Sequence, residues 1–391
     1  VYADRLLVGT TRDVHRAISH RVLALTRQTR TPIGLFHTGF TGAVYGGIGV
    51  ATRALGRTAH GLGRIEPSPH TLAGRTLAPR LTGLRRDVEN SRQGRRLRSI
   101  VNGLIGDVLR DQSSPVAITA AVRHPQRPGT DVLLTPGDLA AAYPAAAGRI
   151  VVFVHGLCED DESWAYQRET RGPSYLEVIG AVGAWTAVAV RFNSGLPIRD
   201  NAGQVARLVD RLVDAWPTRV DEVAFVGHSM GGLVVRAAAA EAAPTWWADR
   251  VRHVVLLGSP HAGAPLERLV ERSGPLLRRL PEVEPFADIL DERSIGIRDL
   301  HDGIGVDAAW WPQAAYHCVG ATLGRGKRAW AGRMFGDLLV LLDSARGTSA
   351  EVQADFRQIS GAHHFDLLNH PEITADLLRW LGPDAEPVRH A

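Results

Sequence analysis

The hydrophobic pattern changes rhythm once along the chain, near Ser113-Ser114-Pro115. Before that point apolar positions recur at helical spacing. Val14, Ala17, Ile18, Val22 and Leu25 share one side of a helix over 13–26. Ile100, Leu104, Ile105, Val108 and Leu109 share one side of another over 99–109. After it, short apolar runs alternate with longer helical stretches, the pattern of a sheet layered with helices. The runs predict strands over 116–122, 130–135, 149–154, 186–192, 222–226, 251–257, 315–319 and 356–359. Helices fit over 204–215, with Asn201 as its cap and Pro217 as its stop, over 232–242, and over 371–380.

The expected architecture is α/β: a mostly parallel central sheet with helices on both faces. Residues 1–112 read as an N-terminal helical extension and 113–391 as the sheet domain. Within the latter, 263–312 breaks the alternation into short helices interrupted by Pro and Gly. An insertion there would lie over the strand ends, where a cap belongs.

Composition narrows the class. A 391-residue chain that is 45% hydrophobic and 22% charged can fill a large core. Its formal charge of +4 is uneven: residues 1–110 carry 18 arginines against six acids, so the remainder is net acidic. Such an arm can pack on an acidic body, or its basic helices can touch a membrane peripherally. Basic and aromatic residues do not interleave, so no nucleic-acid partner is expected. The stretch Thr31–Thr52 has no charged residue, but Gly, Thr, Pro32 and His37 dilute it, so it reads as a packed helix rather than a membrane span. Cys158 and Cys318 are too few for a disulfide framework or a cysteine zinc cluster. No metal or organic cofactor is expected, and the expected location is cytoplasmic or peripheral to a membrane.

The chemistry gathers at strand ends. Gly227-His228-Ser229-Met230-Gly231 satisfies G-x-S-x-G directly after an apolar strand and before a helix. A serine at so sharp a turn is pushed into solvent as a nucleophile, with His228 beside it. Upstream, the strand 149–154 runs into His155-Gly156-Leu157-Cys158. That loop and the residue after the serine would supply two backbone N–H groups, from Leu157 and Met230, to an oxyanion. His155, Gly156 and His261 (in Ser259-Pro260-His261) would line the site. Downstream, His364 is the expected base, with His363 the alternate. The acid is Asp337 or Asp343, both between the last two strands. Cys158 reads as a packing residue.

HGLCEDDESW, VGHSMGGLVVR, GSPHAGAPLERLV, GDLLVLLDSARG and GAHHFDLLNHPEI, taken together, resemble bacterial α/β-hydrolases of the lipase/esterase superfamily, near the GPI inositol-deacylase-like group. The resemblance covers roughly 113–382. It implies an α/β-hydrolase fold with Ser229 as nucleophile, His364 as base, Asp337 as acid, and Leu157 and Met230 as the oxyanion hole. It also implies hydrolysis of carboxylic esters, small-molecule or lipid, and hydrophobic acyl groups fit the apolar cap. Relatives read Gly-Asp-Gly-Leu-Val-Pro at the acid loop, where this chain has Gly336-Asp337-Leu338-Leu339-Val340-Leu341, which keeps Asp343 in play. The same triad permits amide or thioester cleavage and acyl transfer, and a hydrolase fold can also serve as a catalytically silent binding protein.

Overall fold

The computed structural model describes residues 91–242, 245–261, 263, 294–302, 310–322, 340, 342–345 and 354–382. The expectations for residues 1–90, for most of the 263–312 insertion and for Asp337 lie outside them. All described residues belong to one compact unit, formed by 83–266 and 294–391.

The strands are β1 (Ala121–Val122), β2 (Arg149–Val154), β3 (Thr186–Arg191), β4 (Glu222–His228), β5 (Val251–Leu257), β6 (Ala315–Thr322) and β7 (Asp355–Ser360). They form one sheet in the order β1-β3-β2-β4-β5-β6-β7. Only the short β1 runs antiparallel, and every other neighbouring pair is parallel. The longer helices are α1 (Arg92–Asp111), α2 (Pro136–Ala142), α3 (Tyr175–Val182), α4 (Ile198–Asp214), α5 (Met230–Ala242), α6 (Ile295–Asp302) and α7 (Pro371–Trp380). This is the α/β-hydrolase fold.

Both faces of the sheet are covered, which is why its central strands read as continuous apolar runs rather than alternating ones. Val152, Val154, Val190 and Phe225 pack with Val205 and Leu212 of α4 and Leu233 of α5. On the other face Val151, Phe153, Val226 and Leu257 pack with Ile179 of α3 and Leu377 of α7. From β2 the chain proceeds to β3 on one side, and from β4 to β5 on the other. The C-terminal ends of β2 and β4 therefore flank the crevice where open parallel sheets bind ligands.

Four expectations are corrected. The strand foreseen over 116–122 shortens to Ala121–Val122. The one over 130–135 does not form: Asp131 makes a single bridge to Arg123, and Thr135 already caps α2, accepting from the Asp138 N–H ahead of Pro136. Asn201 is not a cap but sits inside α4, its amide donating to the Asn193 and Leu196 carbonyls.

The fourth correction concerns α1, which falls inside the segment read as an extension. Its buried residues are Arg98, Ser99, Asn102, Gly103, Gly106 and Asp107, while the foreseen apolar positions Ile105 and Val108 are exposed. Hydrogen bonding decides the face. Arg98 donates to the Val116 and Ala117 carbonyls, and Asn102 donates to Val116 and accepts from the Ile118 N–H. Turning that face outward would strand these buried backbone groups. Of the candidate cap, α6 is described. It docks on α1 through Ser294, whose N–H reaches the Leu104 carbonyl, and through the Ile295 N–H on Asp107.

Candidate active site

Ser229 lies between β4 and α5 with φ +52, a left-handed conformation that costs a side-chain-bearing residue about 1–2 kcal/mol. Its N–H is held by the Leu257 carbonyl at 2.8 Å, and its own carbonyl accepts from Gly232 at 3.0 Å. His228 and Met230 on either side are 0% exposed, whereas Ser229 keeps 8%, so the turn presents the serine and hides its neighbours. Gly231 is required by the approach of β2: a Cβ there would overlap the Val154 and His155 carbonyl oxygens.

The loop after β2 meets the serine directly. A Cβ on Gly156 would stand 3.1 Å from Ser229 Cβ. Among the described residues, neither the Leu157 nor the Met230 N–H donates to a protein acceptor. The loop is braced from both sides. The Cys158 N–H donates to Ser194 Oγ, and Cys158, at φ +59, packs so tightly on α1 that a Cβ on Gly103 would overlap its sulfur. Burial pushes the Cys158 thiol up to about 12, the state of a packing residue rather than a nucleophile.

His155 and His228 are fully buried and scaffold the site rather than line a cavity. His155 accepts from the Phe192 N–H at 3.2 Å through Nε2, so Nδ1 carries the proton toward the Gly156 carbonyl at 2.9 Å, and the ring stacks on Phe192. Burial lowers its proton affinity and keeps it neutral. His228 Nδ1 lies 2.9 and 3.0 Å from the two Glu159 oxygens, and its Nε2 lies 3.2 Å from the His364 carbonyl. Burial pushes the Glu159 carboxyl up. The adjacent His228 and the Gly156 N–H, 2.7 Å from Oε2, outweigh that and hold it at about 2. Sequence reasoning missed Glu159, although it stands in the HGLCEDDESW motif.

Of the two adjacent histidines, His364 is the one turned to the strand ends. It is 2% exposed, its ring centroid lies 4.7 Å from that of His228, and it fills the space over Gly258. His363 turns outward, its Nε2 3.2 Å from Asp366 and its ring edge-on to Tyr166. Asp337 is outside the described residues. Asp343 belongs to the short helix Leu342–Ala345, and of its side chain nothing is described. That helix is tied to the loop after β5, since the His261 N–H donates to the Ser344 carbonyl at 3.1 Å.

His261 is buried against Arg236, its Nδ1 3.0 Å from the guanidinium, which itself lies over the Trp310 ring at 3.9 Å. Burial and Arg236 lower its pKa to about 3, which unfits it as a base. A cavity of about 630 Å³ opens elsewhere, near α4. Of its charged groups, Arg110 pairs with Asp200 and Arg199 with Glu241. Among the described residues no His, Cys, Asp and Glu group could hold a metal, and no helix is long and apolar enough to cross a membrane.

The PGAP1-like alpha/beta domain family model matches residues 189–273, the stretch that carries Ser229 and the Ser259-Pro260-His261 loop. No curated protein matches the chain. Among solved structures, a mature lipase from Bacillus licheniformis is 19% identical, with 61% of this chain and 93% of that one covered and a TM-score of 0.44. A lipase-esterase related protein from Clostridium acetobutylicum is 15% identical, covering 60% and 94%, with a TM-score of 0.38. A Pyrococcus furiosus esterase is 15% identical, covering 61% and 84%, with a TM-score of 0.37.

Proposed function

We propose that the chain is a carboxylic ester hydrolase that works through an acyl-enzyme. Ser229 attacks the ester carbonyl. His364 takes the serine proton and returns it to the leaving alcohol, and water then releases the acyl group by the same steps in reverse roles. The Leu157 and Met230 N–H groups hold the oxyanion, and Asp337 or Asp343 orients His364. The observation that carries this reading is the conformation of Ser229: a strained, left-handed serine between a central strand and a helix, with Gly156 against it and His364 seated beside the preceding residue. Backbone strain of this kind is held where chemistry needs it.

The acyl group is hydrophobic. Phe365 stands 38% exposed with its ring centroid 5.7 Å from that of His364, giving the mouth of the site an apolar rim. The test is a panel of p-nitrophenyl esters from acetate to palmitate, run on wild type and Ser229→Ala with fluorophosphonate labelling alongside. Turnover and labelling are both lost in Ser229→Ala, and medium or long acyl chains turn over faster than acetate. Folded wild type that does not label would replace this reading with that of a silent binding protein. Peripheral contact of residues 1–112 with anionic membranes is a separate proposal, tested by liposome binding that weakens with salt.

A further inference from the structure

We infer that Glu159 and His228 are a pair of positioning residues that lock the Gly156 loop and the His364 loop to each other beneath Ser229. The inference rests on the reading of those two loops as oxyanion loop and base loop. Three strand ends meet in one buried chain of contacts. The Gly156 N–H donates to Glu159 Oε2 at 2.7 Å, Glu159 takes His228 Nδ1, and His228 Nε2 reaches the His364 carbonyl at 3.2 Å. His228 is itself the last residue of β4, so the link is anchored to the strand that carries the serine. Both contacts of the imidazole are to oxygens, one of a carboxylate and one of a backbone carbonyl. Trp164 closes the ring in edge-on, at 6.3 Å and 77°.

Stability does not account for the pair. A buried ion pair is often matched or bettered by apolar residues of similar volume. What apolar residues cannot do is tie one loop's N–H to another loop's carbonyl. A drift of about 1 Å between oxyanion donors and base can cost about a hundredfold in rate.

The decisive variant is the double replacement Glu159→Met with His228→Phe, which fills the same space without hydrogen bonds. It is compared with Glu159→Gln, whose amide oxygen in the place of Oε2 keeps an acceptor for both the Gly156 N–H and the ring. The measurements are melting temperature, kcat and KM on an ester, and amide hydrogen exchange over 155–159 and 363–368. The double variant should melt near wild type, lose about 10–100-fold in kcat with little change in KM, and exchange faster in both segments. Glu159→Gln should keep most of its kcat. Wild-type kcat together with wild-type exchange over 363–368 in the double variant overturns the inference.

Should the double variant not fold, the wild-type ring decides. Two slowly exchanging N–H protons on His228 in ¹⁵N-resolved NMR support the link, and an unprotonated ring nitrogen breaks it. If wild type hydrolyses no ester, the functional reading falls, while the exchange and ring measurements still test the link.

Discussion

Gly258 and His364 are matched in shape: a Cβ on Gly258 would stand 3.0 Å from His364 Cε1 and 3.1 Å from Nδ1. Gly258 directly follows β5 at φ +61, its N–H held by the Val319 carbonyl at 2.7 Å. The backbone there is fixed, so an added methyl must move the imidazole or Leu367, whose Cδ1 would lie 2.9 Å away. Gly258→Ala should lower kcat on an ester by about 10–100-fold through displacement of the base. It should also cost about 1–2 kcal/mol for a side chain in the left-handed region. Urea titration and steady-state kinetics separate the two effects. An Ala variant with wild-type kcat would mean that His364 does not need its present seat.

Ser229 predicts a gain in stability on inactivation. Its φ of +52 is strained for any residue with a Cβ, and glycine relieves that strain at an entropic cost of about 0.5–1 kcal/mol. Ser229→Gly should therefore be inactive yet more stable than Ser229→Ala, and more stable than wild type by up to about 1 kcal/mol. Thermal melts of the three proteins give the order directly. Glycine melting below alanine would remove strain from the account of this turn.

The sheet was legible because its strands are short apolar runs bounded by Gly and Pro. Arg149–Val154 and Val251–Leu257 form as the pattern predicts, and α7 keeps both of its predicted ends. Ser229 was legible because its elbow needs glycines at fixed spacing. Periodicity misled at α1, where buried hydrogen bonds from Arg98 and Asn102 outweigh the exposure of Ile105 and Val108. Glu159 was invisible for a different reason. Its meaning lies in a contact with His228, 69 positions away, and a glutamate that opens the acidic run Glu159-Asp160-Asp161-Glu162 reads as solvated surface. The position of Gly258 under His364 was hidden likewise, since only the folded sheet brings residues 258 and 364 together.

The two acid candidates are separable by kinetics. An acid partner holds the tautomer of the base and stabilises the imidazolium, and its amide analogue costs about 10⁴ in kcat. Of Asp337→Asn and Asp343→Asn, one should fall by that order and the other stay near wild type. The loop after β5 favours neither by itself, although its tie to Ser344 makes Asp343→Asn the variant in which a secondary loss of stability should be checked. Melting temperature beside kcat distinguishes a lost acid from a loosened loop.

Acid should unfold the protein early, through histidines that the fold keeps neutral. His253 and His317 sit on β5 and β6, their rings 5.9 Å apart, and His317 stacks on Trp380 at 4.2 Å. Burial, then Arg149 and Arg252, lowers His253 to about 4. Burial, then His253 and Arg379, lowers His317 to about 3, and His261 is held at about 3 by burial and Arg236. The unfolded imidazoles take up protons near 6.5, so between about 6.5 and 3 the unfolded chain binds more protons than the folded one. Stability is then flat above that window and falls with falling pH inside it, each histidine adding up to about 1.4 kcal/mol per pH unit. Glu159, held at about 2, acts in the same direction, since its contribution is lost as pH falls from about 4.5 toward 2. Melting temperature should therefore be level at neutral pH and drop steeply below about pH 5.5. The drop should be shallower in His317→Phe, which keeps the stack on Trp380 and has no proton to take up. A variant with an unchanged acid limb would exclude His317 as a contributor.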